Sequence, residues 1–149
     1  MRVYDSYAHH PTEIAGDLQA ARAIAGEDRL LVCFQPHLYS RTKIFGTAMG
    51  EALSAADEMV VLDVYAAREP PEPGVSGALI TDAATLDPDR VHYAPDWDGV
   101  PALVADLAAA DGRRTVVVTM GAGDVTEIGP HVLALLEQRE GAADDGTAI

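Results

Sequence analysis

The chain has a single cysteine, a single lysine and no apolar stretch long enough to cross a bilayer. One cysteine forms no internal disulfide. Cys33 stands inside the apolar run Leu30, Leu31, Val32, Cys33 and Phe34, the setting of a buried structural thiol rather than of a nucleophile. A spanning helix needs about 18 or more apolar residues and a secretory leader needs a basic then apolar start, so neither is expected and the chain reads as cytoplasmic. Basic residues are scarce, 10 Lys and Arg against 24 Asp and Glu, for a net charge of -14. Nucleic acid and anionic membrane both require a basic footprint, and neither is expected as a partner. No G-x-x-x-x-G-K-[ST] phosphate loop, internal repeat or domain linker is present. His9, His10, His37 and Glu13 show no zinc-type spacing, so no metal site is expected on them.

What is present is enough for one domain with a core, at 149 residues and 48% hydrophobic content. Apolar runs predict strands over 2–4, 30–34, 59–62, 91–93 and 115–119, several of them continuous as in strands covered on both faces. Helical spacing separates them. Ile14, Leu18, Ala21 and Ala25 form one stripe, and Ile44, Phe45, Ala48, Met49, Ala52, Leu53 and Ala56 a second. Val100, Leu103, Val104, Leu107 and Ala108 form a third behind the cap candidate Asp98, and Pro130 opens a last helix through Leu133 and Leu136. Strand and helix alternate throughout, which predicts an α/β, Rossmann-like doubly wound, mainly parallel sheet with helices on both faces. The segment 64–77, carrying Pro70, Pro71, Pro73, Gly74 and Gly77, is too broken for helix or central strand; a loop of this length is functional or disordered, and Arg68 in its first half favours the functional reading. Residues 1–140 are read as the domain, and the small acidic segment 141–149 as a flexible, frayed tail.

Chemistry gathers after the strands. Residues 5–13 read DSYAHHPTE, placing an aspartate, a phenol and two imidazoles between a strand and a helix opened by Pro11. Residues 37–43 follow the second strand, Arg68 the third, and residues 121–126 the last. In a parallel sheet these ends share the edge where ligands bind, and helix N-termini there favour phosphate or carboxylate. Lys43 with Arg41 and His37 forms a local cationic group suited to an anion. The GAGDVT turn lacks the third glycine of the dinucleotide fingerprint and comes last in the chain, which excludes a dinucleotide reductase.

Four segments carry a family resemblance: DSYAHHPTE (5–13), FQPHLYSRT (34–42), LDVYAARE (62–69) and TMGAGDVTEIGP (119–130). Together they resemble the C-terminal domain of a Mur ligase, most closely the members that add L-alanine to UDP-N-acetylmuramic acid. The likeness covers nearly the whole chain in order. It implies ATP and Mg2+ as cofactors, an acyl-phosphate intermediate attacked by the amine, and UDP-N-acetylmuramic acid and L-alanine as substrates. The phosphate loop, the Mg2+ ligands and the sugar site belong in that family to central and N-terminal domains. The chain is therefore expected to be an excised third domain with Met1 as an expression start, holding no catalytic residue by itself and inactive alone.

The resemblance also assigns roles residue by residue. Asp5, Tyr7 and His9 fall on nucleotide-side positions, Asp5 near the ATP ribose. His9, His37, Arg41, Arg68, Gly121 and Gly123 fall on substrate-side positions, with Arg68 where related ligases hold the incoming amino acid. Taken singly, Asp5 is equally a turn or capping residue and His10 a helix cap. Leu38 stands where the family often carries a basic residue, and Ser6 where it is often acidic. Two other readings remain: a murein-peptide-recycling ligase domain, and a free-standing nucleotide-binding regulatory module.

Overall fold

The computed structural model describes residues 1–147; residues 148–149 and the side chains from 142 onward lie outside the described part. Five strands, β1 (Arg2–Ser6), β2 (Arg29–Phe34), β3 (Glu58–Val61), β4 (Val91–Tyr93) and β5 (Thr115–Met120), form one sheet in the order β1-β5-β2-β3-β4. All neighbouring pairs are parallel. The helices are α1 (Pro11–Ala25), α2 (Tyr39–Leu53), α3 (Ala78–Asp82), α4 (Val100–Ala109) and α5 (Ile128–Thr147). No helix of the described residues is long and apolar enough to cross a membrane.

Every residue of β2 and β5 is buried, because alternate side chains enter two separate cores. Leu30, Val32, Phe34, Val116 and Val118 pack under α1, α2 and α3 with Ile14, Leu18, Met49, Leu53 and Ile80. Leu31, Cys33, Val60 and Val117 pack under α4 and α5 with Val104, Ala108, Ile128 and Val132. Burial pushes the Cys33 thiol up to about 12, which keeps it protonated and inert at neutral pH.

The expected strands and the first helix stand where the pattern put them, and α1 buries Ile14, Leu18, Ala21 and Ala25. His10 caps that helix: its Nδ1 accepts from the Thr12 amide at 3.3 Å, and Glu13 accepts from the His10 amide at 3.1 Å. In the second stripe Met49, Leu53 and Ala56 are buried and Phe45, Ala48 and Ala52 half-buried, as expected, and Ile44 needs correction. Ile44 is 73% exposed, and the face α2 buries is Thr42, Gly46, Met49, Gly50 and Leu53. The reason is a close approach by α3, since a Cβ on Gly50 would lie 2.3 Å from the Ile80 carbonyl oxygen. Small residues, not large apolar ones, mark that contact. Asp98 is no cap either; it sits inside a short 3-10 turn, Trp97–Gly99, and α4 starts after Gly99 with no side-chain cap. The last helix begins two residues before Pro130 and continues through Thr147, so the part of the expected frayed tail that is described is helical.

These packings predict opposite signs for two helix glycines. Gly16→Ala has nothing within 4 Å of the new methyl and gains helix propensity, so it should stabilise by about 1 kcal/mol. Gly50→Ala gains the same propensity but must push α3 away, and should destabilise by about 1–3 kcal/mol. Urea denaturation of the two variants checks this; equal shifts would contradict the packing.

Candidate functional site

The polar segments that follow β1, β2, β3 and β5 meet at the carboxyl edge of the sheet. β5 lies between β1 and β2, so its exit turn runs against both: the Gly121 amide donates to the Ser6 carbonyl at 3.0 Å, and the Gln35 amide to the Met120 carbonyl at 3.0 Å. Gly121 has φ +145°, a conformation side chains avoid, and a Cβ there would lie 2.6 Å from the Gln35 carbonyl oxygen.

At the positions expected to face a nucleotide, β1 extends two residues further than the pattern indicated and takes Asp5 into the strand. Its carboxylate accepts from Thr119 Oγ1 at 2.7 Å and Thr126 Oγ1 at 2.8 Å, tying β1 to β5 and to the turn after it. Ser6 donates to Asp17 at 2.5 Å and accepts from the Ala8 amide at 3.1 Å. Tyr7 is 71% exposed and meets His9 edge-on, with 5.4 Å between ring centres.

An aromatic row leads from there to His37 and Tyr65. The His9 and His37 ring centres are 6.1 Å apart, and His37 stacks on Tyr65 at 5.9 Å with 16° between planes. His37 Nδ1 is buried without a hydrogen-bond partner. Burial, then the charges of Arg41 and His9, hold the His37 pKa below its ordinary 6.5, with Glu69 opposing. Gly123 closes the row, because a Cβ there would lie 2.7 Å from Tyr65 Cγ.

The segment 64–77 is docked, not free. The Tyr65 amide donates to the Pro36 carbonyl at 2.8 Å and the Leu38 amide to the Tyr65 carbonyl at 3.0 Å, a one-residue parallel bridge. Glu69 accepts from the amide and hydroxyl of Ser40 and so caps α2 from the docked loop, and those bonds hold its pKa below the usual carboxylate value. Asp63 pins both ends of the loop, accepting from the amides of Val64 and Gly77. Leu38 (φ 70°) and Ala67 (φ 54°) are, among the described residues, the two non-glycine residues in the left-handed region, one on each limb of this clasp. Such strain costs on the order of 1–3 kcal/mol per residue and persists where surrounding contacts enforce it.

The cationic group is smaller than the sequence suggested. Lys43 is paired with Glu72 at 2.6 Å and is neutralised there. Among the described residues neither Arg41 nor Arg68 has a carboxylate partner, and Arg68 is exposed. Two unpaired guanidinium groups on the edge of an acidic protein suit an anionic ligand. Among the described residues no three His, Cys, Asp or Glu side chains gather as a metal cage. Gln35, Tyr65, Glu69 and Thr126 were not singled out from the sequence; a glutamine and a threonine carry no motif signal of their own, and their partners lie far along the chain.

The family model described as Mur ligase, glutamate ligase domain, matches residues 1–123. The UDP-N-acetylmuramate–L-alanine ligase of Nocardioides sp. is 64% identical over 137 residues, with 92% of this chain and 30% of that protein covered. The protein of the same name from Saccharopolyspora erythraea is 52% identical over 145 residues, with 97% and 29% covered. The chain thus spans about 30% of the length of the curated relatives it matches. Among solved structures, UDP-N-acetylmuramate–alanine ligase from Thermotoga maritima aligns with a TM-score of 0.69 at 23% identity, covering 92% of this chain and 27% of that one. A murein peptide ligase from Psychrobacter arcticus aligns with a TM-score of 0.65 at 20% identity, covering 89% and 26%. At those identities the structures establish the fold alone.

A histidine that resists protonation when folded but accepts it when unfolded makes stability fall as pH drops through the unfolded value of about 6.5, until the folded pKa is passed. NMR titration should find His37 below the ordinary range, and Arg41→Gln should raise its midpoint by removing a neighbouring positive charge. An unchanged midpoint would contradict the proximity of the two groups.

Proposed function

Since the chain belongs to the Mur ligase glutamate ligase domain family, we propose that it is the C-terminal lid domain of a cytoplasmic ATP-dependent ligase that joins L-alanine to UDP-N-acetylmuramic acid in peptidoglycan precursor synthesis. The observation that carries this reading is the shared rim. Segments from four separate parts of the chain place Asp5, Tyr7, His9, His37, Arg41, Gly121 and Gly123 on one sheet edge, with Arg68 on the loop docked to it. The relatives that cover most of the chain at 52–64% identity bear the name of that ligase, which supports the alanine-adding branch over a murein-peptide-recycling one.

The chemistry explains why such a rim is half a site. A carboxylate is a poor electrophile until ATP transfers its terminal phosphoryl group to it, giving an acyl phosphate and ADP. The amine of L-alanine then attacks the acyl carbon, a C–N bond forms, and inorganic phosphate and a proton leave. Water competes with the amine at that intermediate, so the reactants must be enclosed and aligned. A lid that closes on the central and N-terminal domains of the same protein does both. In this reading Asp5, Tyr7 and His9 face the nucleotide, and Arg41, His37 and the glycine turn face the anionic substrate groups. Neutral His37 beside Arg41 leaves the guanidinium as the fixed charge. Arg68 meets the carboxylate of the incoming amino acid. The rim's unpaired guanidinium groups suit the substrate anions, whereas the described residues offer no cage for Mg2+, and the ion's ligands are assigned to the other domains.

In the full-length protein, Arg68→Ala should raise KM for L-alanine on the order of tenfold, the loss expected for one charge-assisted hydrogen bond, with KM for ATP little changed. Residues 1–149 alone should form no product and bind ATP weakly. Ligation of an intact tripeptide in preference to L-alanine would favour the recycling branch, and micromolar ATP affinity of this chain alone would favour a free-standing nucleotide module.

A further inference from the structure

Gln35 follows β2 directly and is 6% exposed, so its amide must be satisfied inside the protein. Its Oε1 accepts from the Val125 amide at 3.1 Å, and its Nε2 donates to Asp124 Oδ1 at 2.8 Å. The orientation is fixed by the partners, because a peptide N–H only donates and a carboxylate only accepts. The same side chain sets the turn's sterics, since a Cβ on Gly123 would lie 2.5 Å from Gln35 Oε1.

We propose that Gln35 is the positioning residue that holds the nucleotide half and the amino-acid half of the rim in register, a role that rests on the ligase reading above. The connections run in both directions from its amide. On one side Asp124 and Val125 lead to Thr126, whose hydroxyl donates to Asp5. On the other, Gly123 lies against Tyr65, Tyr65 stacks on His37, and His37 faces His9. Gln35 has no hydrogen bond to Asp5, His37, Arg41 or Arg68, so it acts on ligands through the turn it clamps.

A polarity cycle in the full-length protein separates this role from space filling. Gln35→Glu places a second carboxylate where a donor faced Asp124, and two carboxylates that close do not both ionise. KM for ATP and for L-alanine should both rise, on the order of tenfold, with kcat changed far less, and the defect should ease on acidification as the pair takes up a proton. Asp124→Asn alone should be close to wild type, since its amide can turn an oxygen toward Gln35. In the double variant the new amide at position 124 donates to the new carboxylate at position 35, and both KM values should return to within about threefold of wild type. Wild-type KM values in Gln35→Glu, or a double variant no better than the single one, would overturn the proposal. So would a loss confined to kcat and thermal midpoint. Should the wild-type protein ligate no L-alanine, the ligase reading fails by itself. Calorimetric titration of the same four proteins with ATP then decides the clamp: repair of weakened binding in the double variant supports it, and four equal affinities refute it.

Discussion

β5 lies between β1 and β2, hydrogen-bonded to both in parallel, and the rim depends on that insertion. Were β5 at an edge, the glycine turn after it would border one neighbour. Placed inside, it touches the Ser6 carbonyl on one flank and Gln35 on the other, and the side chains that follow three strands come within reach of each other. Parallel pairing does the remainder, because it sends every strand's exit to the same edge while helices cover both faces. The buried apolar runs of β2 and β5 drive the arrangement, and the polar work is left to the loops.

Charge follows the same division. Against 24 acidic residues the chain sets 10 basic ones, and among the described residues Arg2, Arg22, Arg29 and Arg139 are held in ion pairs. Arg22 meets Asp57, and Arg29, buried at the amino edge, meets Glu58 and Asp111 while His92 meets Glu58 at 2.8 Å. Those are structural pairs far from the carboxyl edge. Arg41 and Arg68 are among the arginines without carboxylates in the described residues, and they stand at the carboxyl rim, which leaves positive charge there. The clasp between the 64–77 loop and α2 presents them on a fixed frame: Glu69 caps the helix, and Leu38 and Ala67 are held in strained backbone by the bridge between the two limbs.

Period and composition made the strands, their parallel sense and the first helix readable, because burial on two faces demands continuous apolar runs. The joint at His10 and Pro11 was equally plain, since capping chemistry is local. What the pattern misplaced had a non-local cause. Ile44 matched a helical stripe, yet α2 turns its glycines inward because α3, close in sequence to a proline-rich loop, packs against them. Lys43 looked like ligand-binding charge until Glu72 was found beside it. Gln35 and Thr126 lay inside the motif segments, but their roles were not readable for the same reason: their partners are 89 to 121 residues away, a distance over which no spacing rule operates. The site residues named by resemblance converge on one edge, a placement that single-residue chemistry did not dictate.

In the ligase reading, this edge is one wall of a cleft completed by the rest of the protein. Hydrogen exchange on the full-length protein, with and without ATP and UDP-N-acetylmuramic acid, tests it most directly. Bound ligands should slow exchange in the segments 5–10, 35–41, 65–69 and 121–126 and leave the amino-edge segments 26–29 and 112–115 unchanged. Protection at the amino edge with an unaltered carboxyl rim would contradict the account.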